Sequence, residues 1–256
     1  MTERELIDRL HDLGLRATSE QLSDLVARAT RERLGLTQCL ELIVDVEERD
    51  RSRRSLERRM QRSKLGRFKP IADFDWAWPT RIDRDRIESA MRLEFLEETR
   101  NVVLVAPQGL GKTMVAQNIA HQAILAGHSV LFVTAAQLLL DLAGQDSARS
   151  LDRRFRHYAK QSLLVIDEVG YLAFDNRNAD LLFQVVARRY ERKSLVLTTN
   201  LSFRDWPSIF PNATCATALI DRVIHHADVI AIEGKSYRLR QAEDRAKAPP
   251  AKPKKR

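Results

Sequence analysis

The stretch VVLVAPQGLGKTMVA, residues 102–116, decides the fold of this chain. Its apolar start is typical of a buried strand, and the residues after the loop can continue as a helix. Between them, Gly111, Lys112 and Thr113 match the end of the phosphate-binding pattern G-x-x-x-x-G-K-[ST]. Ala106 replaces the first glycine of that pattern. Because backbone N–H groups bind the phosphate and alanine is small, the stretch still predicts a phosphate-binding loop.

The whole loop is expected to contact a nucleotide, and its two remaining glycines allow the unusual dihedrals that close approach requires. Lys112 is expected to bind the β- and γ-phosphates, and the Thr113 hydroxyl is expected to bind Mg²⁺. The residues expected to bind the nucleotide here are Ala106, Pro107, Gln108, Gly109, Leu110, Gly111, Lys112 and Thr113.

Two adjacent acids complete this site in the stretch LLVIDEVGYL, residues 163–172. Asp167 follows four apolar residues and is expected to hold Mg²⁺ together with Thr113. Glu168 is expected to polarise the water that attacks the γ-phosphate. A further polar residue, Asn200, follows the predicted strand that ends in LVLTT and is expected to orient that water, although asparagine after a strand is more often a turn residue. The sequence therefore predicts ATP and Mg²⁺ as cofactors.

Short apolar runs alternate with longer helical segments along the second part of the chain, which predicts a parallel sheet covered on both faces. The expected fold class is α/β, with a P-loop core on a five-stranded parallel sheet, preceded by a small all-α domain. One helix is expected to include both Ile87 and Leu96. The five expected strands are Val102–Val105, Val130–Val133, Leu163–Ile166, Leu195–Thr198 and Val229–Ile232.

The first 66 residues are expected to form a helical domain for DNA binding and assembly. Capping signals predict three helices that begin at Thr2, Thr18 and Thr37. Pro70 ends any helix that reaches it, so residues 67–242 are assigned to the ATPase domain. Residues 243–256 are rich in proline and basic residues and are predicted to form a disordered basic tail.

A formal net charge of +8 suits a polyanionic partner. Ten basic residues and only two acids lie between Arg49 and Lys69. On a helix, several of these arginines recur at three- and four-residue steps and predict contact with DNA phosphates rather than with bases. A solvated helix is the alternative, because Glu47–Arg51 and Asp50–Arg54 have the spacing of i,i+4 ion pairs. The candidate DNA-binding residues are Arg51, Arg54, Arg58, Arg59 and Arg62.

Two cysteines far apart, Cys39 and Cys215, favour a reducing compartment and show no zinc-binding spacing. The charged N-terminus lacks the pattern of a signal peptide. The longest uncharged stretch around a strand, Ser129–Leu140, is shorter than the roughly 18 residues that a membrane helix needs. We therefore expect a soluble cytoplasmic protein with no membrane partner.

Several motifs together resemble the IstB-type transposition helper ATPases, which are AAA+ proteins related to the DnaC helicase loaders. The resemblance covers about residues 4–241. Its most specific parts are DEVGYL and GKSYRLR. The motifs are FDW (74–76), APQGLGKTMVA (106–116), LLVIDEVGYL (163–172), RRYER (188–192), TTN (198–200) and LIDRVIHHADVIAIEGKSYRLR (219–240).

The resemblance implies an ATPase that forms a homo-oligomer on duplex DNA, binds ATP at subunit interfaces and recruits a transposase. By resemblance, Arg222 acts as an arginine finger on the neighbour's γ-phosphate; an ion pair with Asp221 or another carboxylate is the alternative. Arg238 matches an arginine that senses nucleotide in its own subunit.

Other residues within these motifs keep more than one interpretation. Arg188, Arg189 and Arg192 fit either a subunit interface or a solvated helix face. His225 and His226 are interpreted as helix residues and not as metal ligands. Phe74 and Trp76 fit packing either on the adenine or on the ATPase core, with core packing favoured.

Two alternative functions remain at this point. A DnaC-like helicase loader in DNA replication would hold a helicase through the N-terminal helices and prefer single-stranded DNA. A non-enzymatic switch would bind ATP and DNA but hydrolyse too slowly to matter, and the presence of Ala106 is consistent with it.

Overall fold

The computed structural model describes residues 2–171, 174–211 and 213–240. All five strands predicted from the apolar runs form within these residues and pair in parallel. In sequence order they are β2 (Asn101–Val105), β3 (Val130–Thr134), β4 (Leu163–Val169), β5 (Ser194–Thr199) and β6 (Ala227–Glu233).

The sheet contains a sixth strand, so the expectation of five parallel strands is corrected. This strand, β1 (Arg81–Ile82), pairs antiparallel with β6, and the order across the sheet is β1-β6-β2-β5-β4-β3. A strand of two residues has no periodicity that a sequence pattern can reveal. Its pairing depends instead on the chain bringing Arg81 beside Glu233.

Helices cover the sheet on both faces. Consecutive residues of a strand point to opposite faces, and Val102, Val103 and Leu104 are all fully buried. The predicted single helix before β2 is instead two short helices, because Leu93 between them adopts a left-handed φ of 67°. The helices of this region are α5 (Arg84–Met91), α6 (Glu94–Glu97), α7 (Lys112–Leu125), α8 (Ala135–Ala143), α9 (Ala148–Ala159), α10 (Asn176–Arg189) and α11 (Ala213–Ile224).

The strand order places three functional segments at one edge of the sheet. The neighbouring parallel strands β2, β5 and β4 all end at their carboxyl side on this edge. The loop before Lys112 follows β2, and Asn200 follows β5. The Asp167–Glu168 pair lies near the end of β4. Ligands of open α/β sheets bind at this edge.

The N-terminal part is helical as predicted, and its first capping signal is confirmed. Thr2 and Glu5 form both hydrogen bonds of a capping box. The other two predicted helix starts are wrong. Thr18 lies inside a helix, and its N–H donates to buried Glu47 at 2.8 Å. The last helix begins one residue before Thr37. The helices are α1 (Glu3–Asp12), α2 (Arg16–Glu20), α3 (Leu22–Glu32) and α4 (Leu36–Ser63).

The chain divides into two compact units, and the division falls between Arg58 and Arg59, within α4. The functional boundary proposed near residue 66 and the domain roles attached to it stay predictions. The predicted basic tail, residues 243–256, lies outside the described residues. Across the described ranges, no helix is both long enough and apolar enough to cross a membrane.

Arg189 at the end of α10 is fully buried. It therefore lies neither on a solvated helix face nor at a subunit interface, the two interpretations given from the sequence. Its guanidinium donates to the backbone carbonyls of Tyr158, Ala159, Gln161, Ser162 and Ser194. Burial lowers its pKa to about 9. These bonds tie the end of α10 to the segment before β4 and to the start of β5. Arg188 instead pairs with Asp152, and Arg192 is exposed.

Candidate nucleotide site

The phosphate-binding loop connects β2 to α7 and places both of its glycines in a left-handed conformation. Gly109 has a φ of 79° and Gly111 a φ of 84°. A Cβ on Gly109 would overlap the Ser236 hydroxyl, and a Cβ on Gly111 would lie 2.5 Å from the Phe74 ring. Both positions therefore need glycine for its dihedral and for the space it leaves.

Ala106 lies at the position where the general pattern has its first glycine, and alanine fits there without strain. Ala106 is not among the described residues with a positive φ. Its methyl group is buried and packs with Leu110 and Ile232, and its N–H donates to the Thr199 carbonyl at 3.1 Å. The replacement of glycine by alanine therefore leaves the loop conformation intact.

We predict that Ala106→Gly changes the Kd for ATP by less than about threefold, because no unfavourable dihedral is relieved. Gly109→Ala, the matched change in the same loop, should weaken binding roughly tenfold or more, since a left-handed alanine costs about 1–2 kcal/mol. Titration of both variants with a fluorescent ATP analogue measures these effects. A large gain in affinity for Ala106→Gly would contradict the assignment of Ala106 as unstrained.

The Lys112 ammonium is turned onto its own loop. Its Nζ donates to the Ala106 carbonyl at 2.6 Å and to the Pro107 carbonyl at 2.9 Å. Burial lowers the pKa of Lys112, and the positive charge of Arg238 lowers it further, while Asp167 and Glu168 act in the opposite direction. Lys112 also lines the cavity above the loop. Phosphate oxygens bound there can replace the two carbonyls as acceptors of its hydrogen bonds.

Thr113 and Asp167, the two residues predicted to hold Mg²⁺, meet in the structure. The Thr113 hydroxyl donates to Asp167 Oδ1 at 3.2 Å, and the Thr198 hydroxyl donates to the same oxygen at 2.5 Å. Asp167 is 3% exposed and is held from two sides. A hydroxyl and a carboxylate at this separation are hard oxygen donors of the kind that Mg²⁺ binds in phosphate-transfer sites.

Glu168 is exposed, although the adjacent residue Asp167 is buried. The pairing of β4 with β5 shifts register between Ile166 and Val169, and Glu168 has a left-handed φ of 63°. Its N–H donates to the Thr198 hydroxyl at 2.9 Å, which fixes the bulge. The Glu168 side chain is consequently exposed toward the cavity beside the loop, and backbone conformations of this kind concentrate at functional sites.

A cavity of about 570 Å³ lies above the loop, a size typical of small-molecule sites. The predicted residues Gln108 to Thr113, Glu168, Asn200 and Arg238 line it. Asp167 lies beneath, behind the lining residues Thr113 and Thr198. Sequence reasoning missed further lining residues, among them Phe68, Trp78, Gln117 and Tyr237.

The linker before β1 folds onto the ATPase core through Asn118 of α7. The Asn118 side chain accepts from the Ile71 N–H and donates to the Lys69 carbonyl, both at 2.9 Å. Phe74 lines the cavity, whereas Trp76 packs against the Phe74 ring and the Arg84 guanidinium. Aromatic residues in a linker have no periodicity, so the sequence left open whether they pack on the adenine or on the ATPase core.

The segment after β6 covers the other side of the loop. The Tyr237 N–H donates to the Gly109 carbonyl at 3.0 Å, and the Trp78 indole donates to the Lys235 carbonyl at 2.7 Å. The Trp78 and Tyr237 rings meet edge to face. Two segments far apart in sequence therefore enclose the cavity together, and Arg238 lies on its rim.

Arg222 on α11 does not line the cavity of its own chain. Its guanidinium stacks on the Phe183 ring at 4.7 Å and donates to the Ala218 carbonyl at 3.1 Å. Among the described residues it makes no ion pair, either with Asp221 or with another carboxylate. A cation without a carboxylate partner is consistent with a role toward another molecule, which stays a prediction.

The basic residues of α4 differ in how they are engaged. Arg54 pairs with Asp50 at 2.6 Å, as the solvated-helix alternative predicts. The other expected pair does not form, because Glu47 is buried and accepts the Thr18 N–H. Arg59 donates to the Ile124 carbonyl. The remaining members of the predicted set, Arg51, Arg58 and Arg62, are exposed and make no ion pair within the described part of the chain.

Comparison with known proteins agrees with this architecture. Residues 8–245 match the family of IstB-like ATP binding proteins. A protein of insertion sequence IS5376 from Geobacillus stearothermophilus, named for ATP binding, is 35% identical over 90% of this chain and 92% of its own length. The corresponding protein of IS21 from Pseudomonas aeruginosa is 33% identical over 94% of this chain and 90% of its own.

The fold is also found in a solved structure. DnaI aligns with a TM-score of 0.52 over 66% of this chain and 93% of its own, at 20% identity. This likeness concerns the fold alone and confirms an AAA+-like P-loop core. Together with the family match, it confirms the resemblance seen in the motifs. The chain belongs to the family of IstB-like ATP-binding proteins.

Proposed function

We propose that this protein is an ATPase that assembles on duplex DNA and assists a transposase in target selection and DNA transposition. The observation that carries the proposal is the convergence of Lys112, Glu168 and Asn200 on one cavity, above the Thr113–Asp167 contact. The names of the relatives associate them with insertion sequences, which supports a role in transposition.

Each residue has a distinct task in the proposed hydrolysis. Lys112 exchanges its two carbonyl acceptors for phosphate oxygens and neutralises charge on the β- and γ-phosphates. Glu168 accepts a proton from the attacking water, and Asn200 orients that water. Thr113 and Asp167 would hold Mg²⁺, which neutralises charge developing on the phosphates.

We assign a further cation, for the charge that develops on the γ-phosphate, to a neighbouring copy of the chain. Arg222 makes no ion pair among the described residues and does not line its own cavity. An arginine supplied in trans stabilises phosphoryl transfer. With this assignment the protein forms a homo-oligomer, and ATP binds at the interfaces between its subunits.

DNA binding is assigned to the exposed arginines of α4 that make no ion pair among the described residues, namely Arg51, Arg58 and Arg62. Guanidinium groups that carry no internal ion pair can release counterions from DNA at little cost to the fold. Nothing in this surface indicates base readout, so contact with phosphates and DNA shape is expected. Duplex DNA would then concentrate protomers and promote the interface that completes each ATP site.

The proposal is tested by measuring ATP turnover of the full chain without DNA, with duplex DNA and with single-stranded DNA. Duplex DNA should stimulate turnover more strongly than single strands. The opposite preference would favour a DnaC-like helicase loader. Binding of ATP and DNA without measurable turnover would favour a non-enzymatic switch.

A salt titration tests the DNA surface. Replacement of Arg51, Arg58 and Arg62 by alanine should weaken duplex binding and reduce the slope of log K against log salt by about 0.9 per lost phosphate contact. Arg53→Ala is the matched control on the same helix, because Arg53 is already held by Asp50 and Glu57. An unchanged slope in the triple variant would remove α4 from the DNA surface.

A further inference from the structure

The turn after α10 and the turn before β6 bring a carboxylate and two imidazoles together, away from the nucleotide cavity. Glu191 Oε1 lies 3.5 Å from His226 Nε2 and 3.9 Å from His225 Nδ1. Donor atoms from all three residues lie within 4.8 Å of one another. The two histidines follow the end of α11 at Ile224, so their interpretation as helix residues is corrected.

We propose that Glu191, His225 and His226 form a binding site for a divalent transition-metal ion of the Zn²⁺ class. Around a tetrahedral Zn²⁺ with bonds of about 2.0–2.1 Å, donor atoms lie roughly 3.4 Å apart. The observed separations from Glu191 are close to this value, so only small side-chain rotations are needed. Three protein ligands leave a fourth position for water.

The chemistry of the ligands selects the metal. Imidazole nitrogen suits zinc, copper and nickel, whereas Mg²⁺ prefers oxygen ligands. The site thus differs in kind from the Thr113–Asp167 pair, where both donors are oxygen atoms. A Mg²⁺ ion required with ATP is therefore a poor competitor here.

Backbone hydrogen bonds hold the two histidines in place, which reduces the ordering that metal binding requires. The His226 carbonyl accepts from the Asn101 N–H at 2.7 Å, and the His225 N–H donates to the Asp221 carbonyl at 2.9 Å. Glu191 has a left-handed φ of 56° in the turn that follows α10. That turn comes directly after buried Arg189, whose hydrogen bonds anchor it.

Tyr190 gives the site a specific competitor. Its hydroxyl lies 2.8 Å from His225 Nδ1 and hydrogen-bonds to it. A metal ion bound at Nδ1 must displace this hydrogen bond. Tyr190→Phe should therefore bind metal at least as tightly as the native chain, although it removes a polar contact of the cluster.

Metal binding would join the end of α10 to the end of α11. The same two helices are already in contact where Arg222 of α11 stacks on Phe183 of α10. The site begins three residues beyond Arg222 in the chain. A bound ion would therefore stabilise the two helices that position Arg222. A bound ion should raise the Tm, because it binds the folded chain and not the separated ligands.

The test uses the full chain without a purification tag that contains histidine, dialysed against Zn²⁺ in excess Mg²⁺. The native chain should retain one zinc ion. The double change His225→Gln with His226→Gln, and separately Glu191→Gln, should each weaken zinc binding by at least about 100-fold, more than loss of an outer-shell partner does. His11→Gln, an exposed histidine elsewhere, is the matched control and should retain zinc.

Two further measurements guard against binding elsewhere and against misfolding. The absorption spectrum of bound Co²⁺ should show nitrogen and oxygen ligation without a thiolate band, which excludes Cys39 and Cys215. Zinc should raise the Tm of the native and Tyr190→Phe chains but not of the double histidine variant. A native chain that retains no zinc, or a double variant that still retains it, overturns the proposal.

Discussion

Replacing Glu168 with glutamine should lower the rate of ATP hydrolysis by about 10²–10⁴-fold, the range that general-base catalysis contributes. The amide has nearly the shape of the carboxylate but cannot accept the proton of the attacking water. The N–H of residue 168 still donates to Thr198, so the bulge that orients the side chain should persist. The variant should therefore retain ATP and accumulate as an ATP-bound assembly on duplex DNA.

Steady-state phosphate release measures the rate, and filter binding of ATP to the same preparation measures retention. Glu97→Gln, an exposed glutamate on α6, is the control and should hydrolyse ATP at the native rate. Normal turnover in Glu168→Gln would show that another group activates the water. Loss of ATP binding in the same variant would show that Glu168 holds the loop and is not a base.

Lys112→Ala should weaken ATP binding by at least about 100-fold, because charge-assisted hydrogen bonds contribute roughly 1.5–3 kcal/mol each and Lys112 can make two with the phosphates. Loss of the ammonium also removes the donor that the Ala106 and Pro107 carbonyls have in the free loop. Isothermal titration with a non-hydrolysable ATP analogue measures the affinity. Lys193→Ala, a change of the same type on the surface, should leave it unaltered.

The Lys112 variant also tests the assignment of Arg222 to a neighbouring subunit. Lys112→Ala and Arg222→Ala should each be inactive alone, for different reasons. When the two variants are mixed, some interfaces combine an intact loop from one chain with an intact Arg222 from the other. Activity should therefore partly return. Mixtures as inactive as the single variants would place Arg222 outside the composite site. Retention of tight ATP binding by Lys112→Ala would instead remove the loop as the nucleotide site.

The parts of the fold that the sequence predicted correctly depend on near neighbours in the chain. Buried strands appear as continuous apolar runs, and the loop requires glycine at Gly109 and Gly111 because of their own dihedrals. The capping box at Thr2 closes over three residues. The same local reasoning failed at Thr18 and Thr37, where a helix continued past a residue that can also cap one.

The parts that the sequence could not predict depend on which residues of other segments contact a side chain in the folded protein. Arg189 lies only three residues before exposed Arg192, yet its guanidinium donates to five backbone carbonyls, four of them in the distant segment 158–162. Phe74 and Trp76 are two residues apart, and only the position of the loop decides which of them lines the cavity.

By itself, the sequence determined a P-loop α/β core, the order of its five parallel strands along the chain and the candidate residues for binding and hydrolysis. Tertiary structure alone decided the sixth strand, the absence of strain at Ala106 and the enclosure of the cavity by Trp78 and Tyr237. It also decided the meeting of Glu191 with His225 and His226. The physical reason is the range of each effect, because dihedral preferences and apolar periodicity act within a few residues. These contacts form only when the folded chain brings distant segments together.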